Sequence, residues 1–85
     1  MTETPHSKAR LQRLVMGLPL WRLGRLSDDI EVSKLSRVER GILSVSKNEA
    51  AAIADALETP LDDLFAKRDD GQFVALGADG RVFEG

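Results

Sequence analysis

Apolar side chains recur along most of the chain at helical spacing. In KARLQRLVM, residues 8–16, Leu11, Leu14 and Val15 stand at i, i+3 and i+4, one apolar face of a helix. Ser7 is a fitting N-cap and Gly17 a fitting stop. A second short helix is predicted from about Pro19 to Leu26, with Leu20, Leu23 and Leu26 at i, i+3 and i+6; proline suits a first turn, where its missing N–H has no partner to lose. Ser27-Asp28-Asp29 is turn chemistry. A third helix spans roughly Val32–Arg40, with Leu35 and Val38 facing inward, Ile30 just ahead and Gly41 ending it.

Ser46-Lys47-Asn48-Glu49 reads as a capping box: the serine hydroxyl accepts from the third helical amide, and the glutamate reaches back to the cap amide. The fourth helix it opens carries Ala50, Ile53, Ala54 and Leu57 at i, i+3, i+4 and i+7. Thr59-Pro60-Leu61-Asp62 predicts a fifth, with a threonine cap, proline at the first helical position and acid in the first turn, where the helix dipole favours it. Leu61, Leu64 and Phe65 form its apolar stripe. The pattern then changes. Gln72–Leu76 and Arg81–Glu84 are short β-prone runs around Gly77-Ala78-Asp79-Gly80. They read as a hairpin, or as strands borrowed by a neighbour. A lone ribbon is marginal in water, so it packs on the helices, pairs with a second chain, or frays.

Composition narrows the class. Eighty-five residues make one small domain, for which a dimer would add stability. Cysteine is absent, which excludes disulfides and thiolate metal sites. Nothing resembles a signal peptide, and the longest uncharged run, LVMGLPLW, is too short to span a bilayer and is broken by Gly17 and Pro19. A soluble cytoplasmic protein without membrane association is expected. The net charge is −2, yet residues 1–47 hold nine Lys or Arg against five Asp or Glu, and residues 48–85 hold three against nine. The basic half contains EVSKLSRVERG, residues 31–41, the compact segment that asks for a partner.

Candidate chemistry is sparse. Ser44-Val45-Ser46-Lys47 has the S-x-x-K spacing of acyl-transfer enzymes, but the companion motifs are absent and Ser46 is better used as a cap. Asp62-Asp63 and Asp69-Asp70 are explained by a helix start and a turn. His6 stands alone, and Trp21 reads as packing. No nucleophile–base pair, phosphate loop or metal constellation is present, so no enzyme, cofactor or metal is expected.

The order of elements carries a family pattern. Ile30, then Leu35-Ser36-Arg37-Val38-Glu39-Arg40-Gly41, then Ile53-Ala54-Asp55-Ala56-Leu57-Glu58-Thr59-Pro60-Leu61-Asp62-Asp63-Leu64-Phe65, resembles the Cro-and-phage-repressor (XRE-type) helix-turn-helix family over about residues 8–65. The resemblance implies a mainly α, five-helix, lambda-repressor-like domain over residues 8–66. It would follow a flexible N-terminus, residues 1–7, and precede a β-prone tail, residues 67–85, with a short hairpin or strand. It also implies that the third helix enters the DNA major groove, N-terminal end first, with the second helix across the backbone. By position, Val32, Ser33, Lys34, Ser36 and Arg37 would face bases, Arg37 offering a fork to guanine. Arg22, Arg40, Ser46 and Lys47 would contact phosphate, as would the amides opening the fourth helix. Glu39 would pair with Arg13 and orient the third helix.

Three features depart from the family. The turn is one residue longer, with Asp28-Asp29 replacing the usual glycine; Leu20 replaces a glutamine-like phosphate contact; and Ile42-Leu43-Ser44-Val45 is apolar where the family is polar and basic. The last needs a cover, either the tail hairpin or a partner chain.

The expected function is a sequence-specific DNA-binding transcriptional regulator of phage or bacterial type, a small Cro-like or autoregulatory repressor. It would bind a palindromic operator as a homodimer, with Phe73, Val74, Leu76, Val82 and Phe83 as the dimer surface. The alternatives are an antitoxin-type regulator whose tail binds a protein, and a protein-interaction module on the same scaffold without DNA binding.

Overall fold

The computed structural model describes residues 7–81. Five helices come first: α1 Lys8–Val15, α2 Leu20–Leu26, α3 Val32–Glu39, α4 Lys47–Ala56 and α5 Leu61–Leu64. Two antiparallel strands follow, β1 Phe65–Lys67 and β2 Phe73–Ala75. The caps work as local chemistry requires. Ser7 Oγ accepts from the Arg10 amide at 3.1 Å, and both bonds of the Ser46–Glu49 capping box are made. Gly17 and Gly41, at φ 70° and 75°, take the left-handed conformation beyond α1 and α3.

One core joins all the elements. Leu23, Leu35, Val38, Val45, Ala50, Ile53, Leu57, Leu64, Phe65, Phe73 and Ala75 are buried together. The fifth helix is shorter than its sequence suggests. Thr59 does not cap it; its hydroxyl donates to the Leu57 carbonyl at 2.9 Å, and Pro60 is the cap residue. After one turn the backbone straightens at Phe65 (φ −134°, ψ 152°), which enters the core from a strand instead of a helix.

A strand pair lies ahead of the expected ribbon. β1 pairs with β2 in the register Phe65↔Ala75, Ala66↔Val74 and Lys67↔Phe73, around the Asp69-Asp70-Gly71 turn. Gly71 supplies the positive φ of 85°, and Asp70 accepts from the Gln72 amide at 2.9 Å. The chain reverses again at Gly77–Gly80, where the Gly77 amide donates to the Arg81 carbonyl at 2.7 Å; Val82 and Phe83 lie outside the described residues. The other edge of β2 is occupied as well. Phe73 and Val45 exchange two backbone hydrogen bonds, at 2.7 and 2.8 Å. β2 is therefore flanked on both sides, and all three of its residues are buried.

This takes Phe73 and Val74 out of the expected dimer surface. Phe73 and Val74 are only 6% and 5% exposed, consumed by the chain's own core, and Leu76 is half-buried. It also supplies the cover for the loop after α3. Val45 is buried under β2 and Leu43 packs on the core, leaving Ile42 outside.

α1 contains the largest departure from the periodic reading. An amphipathic helix ordinarily buries its apolar stripe. Here Leu14 and Val15 are 50% and 81% exposed, and Leu11 also faces outward. The inward side carries Ala9, Gln12, Arg13 and Met16. Polar anchors set this rotation. Gln12 Nε2 donates to the Leu57 carbonyl at 3.2 Å, and Arg13 Nη1 to the Leu18 carbonyl at 2.9 Å. The Lys8 amide donates to the Leu76 carbonyl at 2.8 Å. On α2, Leu23 is buried, but Leu26 and Trp21 are more than half exposed. Gly24 occupies the inward position in place of Leu26.

Candidate nucleic-acid interface

α3 is held by three devices. Leu35 and Val38 are buried in the core. Arg13 Nε donates to Glu39 Oε2 at 2.8 Å and its Nη2 to Oε1 at 3.2 Å, a two-pronged ion pair with side-chain exposures of 11% and 4%. The third device is the approach from α2. The Ile30 amide donates to the Gly24 carbonyl at 2.9 Å, and a Cβ on Gly24 would lie 2.3 Å from the Ile30 carbonyl oxygen. Only glycine permits that proximity. The intervening turn puts Asp28 and Asp29 both at positive φ, 67° and 57°, a conformation aspartate tolerates better than most residues.

With Leu35, Val38 and Glu39 inside, Ser33, Arg37 and Arg40 at i, i+4 and i+7 line the opposite, exposed side of α3. Val32 is exposed at one margin, and Ser36 is half-buried beside it. Arg22, Arg37, Arg40 and Lys47 are exposed, and none is in an ion pair among the described residues. Ser33 Oγ donates to Glu31 Oε1 at 2.8 Å. The face is polarised along its length. Asp28, Asp29 and Glu31 are exposed where α3 begins, and the unpaired arginines lie toward its end.

Besides Ser33, two more of the residues matched by resemblance are engaged internally. The Lys34 ammonium donates to Glu49 Oε2 and forms an ion pair with it, which draws Lys34 toward the start of α4. The Ser46 hydroxyl accepts from the Glu49 amide and donates to Glu49 Oε1, both at 3.2 Å. The Ser46 amide donates to the same carboxylate oxygen. The start of α4 therefore already holds an anion, the Glu49 carboxylate, where a phosphate seat was expected. Bonding to Lys34 lowers the Glu49 pKa from its ordinary value; the Ser46 amide and hydroxyl add to this, while burial opposes it. Sequence reasoning treated Glu49 as a cap only. Its link to Lys34 joins residues on two helices, and no local spacing signals it.

Comparisons with protein-family models, with curated proteins and with solved structures found no match to this chain. Among the described residues, no helix is long and apolar enough to cross a membrane.

Proposed function

We propose that the chain is a DNA-binding transcriptional regulator of the helix-turn-helix kind, a small repressor that lays α3 in the major groove of a palindromic operator. The observation that carries this reading is the exposed Ser33–Arg37–Arg40 line on a helix fastened from behind by Arg13–Glu39. A groove reader needs its donors fixed to a rigid scaffold, and that ion pair supplies the fixing. Arg37 presents a guanidinium fork for guanine, Ser33 and Ser36 supply hydroxyls, Val32 an apolar contact, and Arg22, Arg40 and Lys47 positive charge for phosphate. Lys34, paired with Glu49, acts as a partly neutralised cation. Two copies would read the two half-sites, about 34 Å apart.

A selection of bound duplexes from a random pool tests this. A palindromic motif should be enriched, and its affinity should fall steeply with salt. Arg37→Ala should relax one base position in each half-site, costing roughly 1–3 kcal/mol. If no motif is enriched, the reading fails. One observation favours a second reading, a protein-interaction module without DNA binding: the exposed carboxylates Asp28, Asp29 and Glu31 at the entrance to α3 would repel phosphate. The same selection separates the two.

A further inference from the structure

α1 and α5 bound an open groove of about 420 Å³, and its composition is informative. Leu11, Val15 and Leu64 supply apolar walls. Lys8 stands at the α1 margin and Asp63 at the α5 margin, and neither is in an ion pair among the described residues. Val15, at the end of α1, projects into solvent at 81% exposure beside the groove it helps to line. The surface thus offers an apolar knob next to an apolar groove, and a cation across from an anion.

A surface of that kind is complementary to itself. In a two-fold pair, any contact from residue i to residue j is repeated from j to i. Val15 of one copy then enters the α1–α5 groove of the other, while Lys8 faces Asp63 across the axis, twice. We propose that this face is the homodimer interface, the occupant of each groove being a second copy of the chain. Charge supports the choice. On this side α1 carries Lys8 and Arg10 with no acid, Arg13 being turned inward to Glu39, and the first turn of α5 carries Asp62 and Asp63 with no base. Two copies of α1 set directly against each other would bring like charges together; α1 set against α5 brings opposite ones. With Phe73 and Val74 buried in the core, this face also gives the exposed Leu11 and Val15 a partner.

The inference rests on the two-fold half of the DNA reading and not on DNA contact, so its test is run without DNA. Sedimentation over a concentration series should show a monomer–dimer equilibrium. Val15→Glu, at a position too exposed to disturb the fold, should raise the dissociation constant at least tenfold. Lys8→Glu should weaken the dimer, and Lys8→Glu combined with Asp63→Lys should restore it, because the double exchange rebuilds the pair across the interface. Circular dichroism checks that each variant is folded. A chain that is monomeric at every concentration overturns the proposal, as does a dimer indifferent to both Val15→Glu and the charge exchange. A dimer with these sensitivities in a chain that enriches no duplex leaves the interface standing and refutes the DNA reading. A palindrome-binding chain that stays monomeric refutes the interface alone.

Discussion

Gly24→Ala sets two physical rules against each other. Gly24 lies inside α2, where replacing glycine with alanine ordinarily stabilises a helix by about 1 kcal/mol. The contact geometry opposes that gain. The new Cβ would lie 2.3 Å from the Ile30 carbonyl oxygen, whereas ordinary contact begins at 3.4 Å, so α2 and the start of α3 must separate by about 1.1 Å, the difference of the two. The obstructing atom is backbone, which no rotamer change can move aside. Forcing such a group into a packed site costs typically 1–3 kcal/mol. The same movement strains the hydrogen bond from the Ile30 amide to the Gly24 carbonyl, worth about 1 kcal/mol. The balance is a net loss of about 1–3 kcal/mol. A chain of 85 residues has roughly 4–13 kcal/mol of total stability, so the loss is a readable fraction of the whole. Urea unfolding followed by circular dichroism should show a lower midpoint with an unchanged slope. Under the proposed function, DNA affinity should fall further than stability does, because the angle between α2 and α3 has changed. A variant as stable as the parent, or more so, would refute the reasoning, for helix propensity would then have outweighed the contact.

Three further outcomes follow from the geometry. Glu39→Ala leaves the mostly buried Arg13 guanidinium without its carboxylate and should cost about 3 kcal/mol in urea unfolding; a loss under 1 kcal/mol would mean the pair holds nothing in place. Phe73→Ala should cost about 3–5 kcal/mol, since the ring belongs to the core; a fully stable variant with altered sedimentation would instead return the tail to a surface role. Lys34 holds the Glu49 carboxyl below its ordinary pKa, so its stabilising contribution is full above that ordinary value and is lost as pH falls through the lower folded one. Glu49→Gln preserves a capping side chain but removes the charge; the stability gap between parent and variant should therefore narrow as pH falls from neutral through the carboxylate range, and a constant gap would sink this assignment.

Local chemistry made much of this structure legible. Ser7, Gly17, Gly41 and the Ser46–Glu49 box act within a turn of the helices they delimit, so their neighbours in sequence are their neighbours in space. The orientation of α1 was not legible in the same way. Leu11, Leu14 and Val15 do define a stripe, but periodicity says nothing about which side meets the core. The deciding partners of Gln12 and Arg13 include Leu57 and Glu39, 45 and 26 residues away. The strand β1 was hidden for a related reason. Phe65 reads as the end of a helical stripe, and what draws it into a strand is its burial opposite Ala75, ten residues on. At the candidate interface, exposure of Ser33, Arg37 and Arg40 follows from helical spacing once Leu35 and Val38 are inside. The diversion of Lys34 does not, because Glu49 belongs to another helix.

β2 has a consequence for the order in which the chain becomes a protein. Its residues hydrogen-bond backward to Val45 and to β1, and just after it Leu76 bonds Leu64 and the Lys8 amide. During synthesis the capped helices are complete well before this strand exists. The loop after α3 and the start of α1 then have no backbone partner until residues 73–76 emerge. Closure is a late, long-range event, the kind that slows folding relative to a plain helical bundle. Translation arrested before residue 73 would therefore release helices lacking Phe73 and Ala75 in their core.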